Sequence, residues 1–61
     1  VRNVALKVAI VRAGVTQRGL SVTLGMSEIR LSEIVRGRAN ASDSEKARIA
    51  EALGVAIAEV F

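Results

Sequence analysis

Apolar side chains recur along this chain at spacings of three and four rather than two. Leu6, Ala9, Ile10 and Ala13 form one such set, Leu20 and Leu24 a second, and Leu31, Ile34 and Val35 a third. Nothing alternates with period two over a useful length, so the pattern predicts helices and no strands. Glycine punctuates the periodic stretches. Gly14, Gly25, Gly37 and Gly54 each follow one, where a left-handed residue closing a helix belongs. Hydroxyl side chains come next as N-caps: Thr16, Ser27 and Ser42. Ser42-Asp43-Ser44-Glu45 fits a capping box, with Glu45 reaching back to the Ser42 amide. The prediction is five helices, at about 2–13, 17–24, 28–36, 43–53 and 57–61. The last has Ala56 where a capping side chain would sit, and so short a helix depends on tertiary packing.

The second and third helices are separated by Gly25-Met26-Ser27 alone. On a helical wheel at about 100° per residue, Leu31, Ile34 and Val35 share one side. Glu28, Ile29, Ser32, Glu33 and Arg36 occupy the other. Leu20 and Leu24 point inward from the preceding helix, and the small Ser21 beside them lets the two helices approach closely. Gly25 supplies a positive φ for a sharp turn, Met26 fills the corner and Ser27 caps the next helix. That is the requirement of a helix-turn-helix.

Composition narrows the setting. The chain has 61 residues, enough for one small domain, 1–61, with a limited core. It begins with Val1 rather than Met, as a trimmed chain would. It contains no cysteine and no histidine, so neither a disulfide nor a structural zinc site holds it together. Hydrophobic residues make up 51%, yet Phe61 is the only aromatic. Val, Ile, Leu and Ala must build the core, which suits a compact bundle of short helices. Nine basic against six acidic side chains give a net charge of +3, a modest bias toward polyanions. No apolar run approaches the ~18–20 residues that span a bilayer. Arg2, Lys7 and Arg12 interrupt the apolar start, so no signal peptide is read there and a cytoplasmic location is expected. No His, Cys or Tyr stands ready as base or nucleophile, and the glycines are spaced as helix ends rather than as a phosphate loop. An enzyme is not expected, nor a cofactor, metal or small-molecule ligand.

Thr16-Gln17, Leu20, Leu24-Gly25-Met26-Ser27, Leu31, Ile34, Gly37 and the tail Ile49-Ala50-Glu51-Ala52-Leu53-Gly54-Val55 together resemble one family. It is the phage-repressor/Cro-type helix-turn-helix, or xenobiotic response element (XRE) family, of bacterial and phage DNA-binding domains. The resemblance runs without gaps from about Leu6 to Phe61. It implies an all-α, lambda-repressor-like five-helix bundle that binds double-stranded DNA. Four positions depart from the family. Gly19 stands where Glu or Ala is frequent, and a helix-interior glycine costs about 1 kcal/mol against alanine. Ala41 stands where a proline is frequent. Ile10 and Val35 stand where many members bury an Arg against a Glu. An apolar pair can replace a buried ion pair at little cost, because neither charge has to be desolvated.

In the family the third helix enters the major groove, so the resemblance nominates Glu28, Ile29, Ser32 and Glu33 as base readers. A carboxylate accepts from cytosine N4 and Ile29 can pack on a thymine methyl; Ser32 discriminates poorly. The bland reading of Glu28 is a carboxylate favoured by a helix N-terminus. That of Ile29 is contact with a neighbouring chain. Phosphate contacts are expected from Gln17 at the start of the second helix and from Arg36, Arg38 and Asn40 around the following loop, with Arg18 and Arg30 flanking. For the arginines the alternative is ordinary solvated charge. Lys46 and Arg48 are expected to be solvated surface.

The resemblance also implies a dimer, and places the contact most often at the last helix and the loop before it. Here those are Val55 to Phe61, with Val55, Val60 and Phe61 as contacts. The first helix offers a competitor: Val4, Val8 and Val11 fall within about 60° of one another, nearly opposite its core face. Scattered exposed valines are common; a partner surface is the sharper reading. A membrane-surface helix is a distant third, since its polar sides hold few cations. Two functions remain. One is a sequence-specific regulator, repressor-like, bound as a dimer to a pseudo-palindrome. The other is a protein-interaction module that keeps the fold without reading DNA. Glu28, Glu33 and the valine stripe favour the second; Gln17, Arg36 and Arg38 favour the first.

Overall fold

A computed structural model of the chain describes residues 3–61. Five helices follow one another: α1 Val4–Arg12, α2 Gln17–Leu24, α3 Glu28–Val35, α4 Asp43–Leu53 and α5 Ile57–Val60. There is no strand among the described residues. The fold is the expected all-α helix-turn-helix bundle.

The helix ends follow local chemistry. Thr16 Oγ1 accepts from the Gly19 amide at 2.9 Å, Ser27 Oγ from Arg30 at 3.0 Å and Ser42 Oγ from Glu45 at 3.1 Å. The Glu45 carboxylate accepts from the Ser42 amide at 2.8 Å, which completes the capping box. Each cap satisfies a backbone donor that the helix cannot. Ala56 makes no side-chain cap. At the α2–α3 corner Gly25 has φ +66°, and the Met26 amide reaches back to the Ser21 carbonyl at 3.0 Å. A side chain is strained in that conformation, so the tight turn depends on glycine.

The first helix starts later than its apolar pattern suggests. Asn3 is its cap: the side-chain oxygen accepts from the Leu6 amide at 3.0 Å. The predicted start at residue 2 lies outside the described residues. At the other end Arg12 is the last helical residue, and Ala13 is exposed rather than on the core face. The Ala13 backbone is still in the right-handed region and its amide donates to the Ala9 carbonyl at 3.0 Å, so it stays in phase with the helix but is not covered by the core.

Leu6, Leu31 and Ile49, from α1, α3 and α4, are fully buried at the centre. Ile10, Leu20, Leu24, Ile34, Val35, Ala50 and Val60 surround them. Burying a side chain of this size stabilises by about 1.5–3 kcal/mol. Ile10 and Val35 thus belong to the apolar core. Ser21 is buried between helices, and its hydroxyl donates to the Arg18 carbonyl at 2.7 Å. The polar atom therefore carries no unpaired cost. Helix α2 packs on α3 and α4, while α1 packs on α3 and α5. The outer side of α3, away from Leu31, Ile34 and Val35, is left uncovered.

Candidate nucleic-acid interface

The uncovered side of α3 carries the expected reading residues. Glu28 and Ile29 are exposed, Ile29 by 75%, while Ser32 and Glu33 are half-buried. The N-terminus of α2 stands beside them. Gln17, Glu28, Ile29, Ser32, Glu33 and Arg36 line one open cleft of about 390 Å³. Sequence spacing alone could not join Gln17 to α3; the Gly25 turn does. An adjoining cleft is lined by Lys7, Gln17, Ser32, Val35 and Arg36. Lys7 is thus a basic residue on the same surface that the sequence did not nominate. It lies on a different helix, and its only sequence signal is a position beside the core residue Leu6.

The remaining expected contacts divide. Arg38 is exposed on the loop between α3 and α4, and Arg18 is exposed on α2. Neither lines the two clefts. Asn40 lines a depression on another side, with Asn3, Lys46 and Phe61. Arg30 has an internal partner. Its Nη2 donates to Glu45 at 2.8 Å and to the Asn40 carbonyl at 3.0 Å, and its Nε donates to Glu45 at 3.2 Å. The hydrogen bond from Arg30, then the Ser42 amide, holds the Glu45 carboxyl down at about 2, well below its ordinary value of 4.5.

Two expected solvent cations are otherwise engaged. Arg48 donates to the Leu24 carbonyl at the end of α2. Lys46 is half-buried and lies 5.8 Å from the centre of the Phe61 ring. Arg48 stays exposed while making its contact with Leu24, so of the two only Lys46 is drawn partly out of solvent.

The expected dimer contacts need one correction. Val60 is 3% exposed and belongs to the core, because α5 folds it inward against α1. Val55 is half-buried, Phe61 is exposed, and Val4, Val8 and Val11 are exposed on α1. Val8 and Val55 line the same groove, with Arg12 on its α1 wall and Glu59 on its α5 wall. The two surfaces that the sequence set against each other therefore meet in one place.

Among the described residues no group of His, Cys, Asp or Glu is arranged to hold a metal ion. No helix among them is long and apolar enough to cross a membrane. No curated protein and no solved structure matches the chain significantly. A family model described as a helix-turn-helix domain matches residues 5–60, which take in α2 to α5 and all of α1 but its first residue. With that match added to the Gly25 corner and the open face of α3, the chain belongs to the helix-turn-helix domain family.

Proposed function

We propose that this domain is a sequence-specific DNA-binding regulator that lays α3 in the major groove. The observation that carries the proposal is the shared cleft of Gln17, Glu28, Ile29, Ser32, Glu33 and Arg36. An exposed helix face of reading side chains stands next to a second helix's N-terminus, which suits a phosphate. Glu28 and Glu33 would accept from cytosine N4, and Ile29 would pack on a thymine methyl. Gln17, Arg36 and Lys7 would hold the phosphates on one flank, and Arg38 on the loop those on the other. Arg18 and Asn40 are secondary candidates, lining neither cleft.

The regulator would act as a repressor-like homodimer on half-sites about 10 bp apart. The groove containing Val8 and Val55 supports this. A second copy seated on it could set Arg12 of one chain against Glu59 of the other. Val4, Val11 and Phe61 are the exposed apolar groups available to extend the contact. No catalytic role, cofactor or small-molecule ligand is assigned to the domain.

A second reading keeps the fold as a protein-interaction module. Two carboxylates on the groove face favour it, since they repel phosphates. Selection from a random duplex pool at fixed near-physiological salt tests both. An enriched palindrome with C and T positions supports the regulator. No enrichment from folded, helical protein overturns it in favour of the interaction module.

A further inference from the structure

The loop between α3 and α4 is tied to α3 at both of its ends. At its start the Glu33 carbonyl accepts from the Arg38 amide at 2.9 Å and the Ala39 amide at 3.2 Å. At its far end Arg30, from the first turn of α3, reaches over to the Asn40 carbonyl and the Glu45 carboxylate. Glu45 in turn holds the Ser42 amide. One side chain thus joins the reading helix, the last part of the loop and the first turn of α4. It is the single ion pair among the described residues.

We infer that Arg30 is a positioning residue for DNA recognition: clamped to Glu45 and Asn40, it holds the far end of the loop that carries Arg38 in register with the base readers of α3. The inference rests on the DNA-binding reading but assigns Arg30 a role other than touching phosphate. Base readers and phosphate anchors must fit the duplex at the same time, so their relative placement matters as much as their chemistry. Three of the guanidinium's hydrogen bonds are made inside the protein. Fixing them before DNA arrives removes part of the ordering cost of binding.

The sign of one substitution separates the two roles. Glu45→Gln keeps the capping box, because Gln serves at that position, and makes the domain more positive by one charge. A phosphate-binding Arg30 would be released, and every duplex would be bound more tightly. A positioning Arg30 would lose its anchor, and the selected operator would be bound more weakly, by roughly two- to fivefold. Non-cognate duplex would not follow it down. Arg30→Lys keeps the charge but not the forked geometry and should weaken operator binding similarly. The double variant should be no worse than either single one, because both break the same link.

The experiment measures affinity for operator and for non-cognate duplex across a salt series, with thermal melting of each variant as a check on folding. Weaker operator binding by Glu45→Gln with an unchanged salt slope supports the inference. Tighter binding to all duplexes by Glu45→Gln overturns it and leaves DNA binding standing. So does Arg30→Lys behaving as wild type. If the unsubstituted domain selects no operator at all, DNA reading itself falls, and the positioning role falls with it.

Discussion

Arg48 on α4 donates a hydrogen bond to the carbonyl of Leu24, the last residue of α2, 24 positions earlier in the chain. The end of a helix leaves carbonyls without partners and carries partial negative charge, so a guanidinium there satisfies both. The contact lies immediately beside Gly25 and ties the helix-turn-helix corner to the fourth helix. Arg48→Ala should lower stability by about 1 kcal/mol and leave the helix content intact. Thermal unfolding followed by circular dichroism measures it; an unchanged midpoint would show that the contact contributes nothing.

Asn3 has two separable roles. Its oxygen caps α1 at Leu6, and its amide donates to the Val60 carbonyl at 2.7 Å. Asn3→Asp keeps the cap and removes the donor; Asn3→Ala removes both. The expected losses are about 1 kcal/mol for the first and about 2 kcal/mol for the second. Denaturant titration of the three proteins gives the comparison, and equal losses would mean that the cap is idle.

Gly19 is the residue in α2 whose amide Thr16 caps. A Cβ built there would lie 3.1 Å from Thr16 Oγ1 and close to nothing else. Thr16 is exposed, and its hydroxyl has room to shift by a few tenths of an ångström. Gly19→Ala should therefore stabilise by about 0.5 kcal/mol, less than the ~1 kcal/mol that helix propensity alone would give. A lower melting temperature would show that the cap cannot move without being lost.

The Arg30–Glu45 pair predicts an acid response. Glu45 has its carboxyl at about 2 in the fold, against an ordinary 4.5. A depressed carboxyl stabilises the fold fully above its unfolded value. That stabilisation fades as pH falls from about 4.5 and is gone below about 2. The melting-temperature gap between wild type and Glu45→Gln should be flat down to pH 5.5, narrow below pH 4.5 and close near pH 2. A gap that persists at pH 2 would contradict the ion pair.

Positioning and reading should separate on DNA. Arg36→Ala and Lys7→Ala should weaken binding to all duplexes alike and flatten the logarithmic salt dependence by about 0.9 each. Arg38→Ala should do the same from the other flank. Glu33→Gln should instead change the preferred base with little change in slope. A salt series on selected and scrambled duplexes distinguishes them, and four identical variants would mean that the division of labour is wrong.

The helices and their caps were legible in the sequence because the chemistry that sets them is local. Thr16, Ser27 and Ser42 act on amides three residues away, and Gly25 and Gly54 close the helices they follow. The reading face of α3 was legible for the same reason: one helical period separates Leu31, Ile34 and Val35 from Glu28, Ile29 and Glu33. What escaped is long-range. The Arg30–Glu45, Arg48–Leu24 and Asn3–Val60 links join positions 15, 24 and 57 residues apart. No periodicity marks such pairs. Val60 was misplaced for a related reason: a four-residue helix has too few turns to show which of its sides faces the core.

The Asn3–Val60 hydrogen bond brings the two ends of the described chain together, and that shapes how the domain should respond to a mechanical load. Tension applied between those ends would fall first on this bond and on the packing of α1 against α5. The Asn3 backbone amide also donates to the Val35 carbonyl at 2.9 Å, so a tug on the chain would load the end of the reading helix directly, whereas the α2–α3 corner makes no hydrogen bond to either end of the described chain.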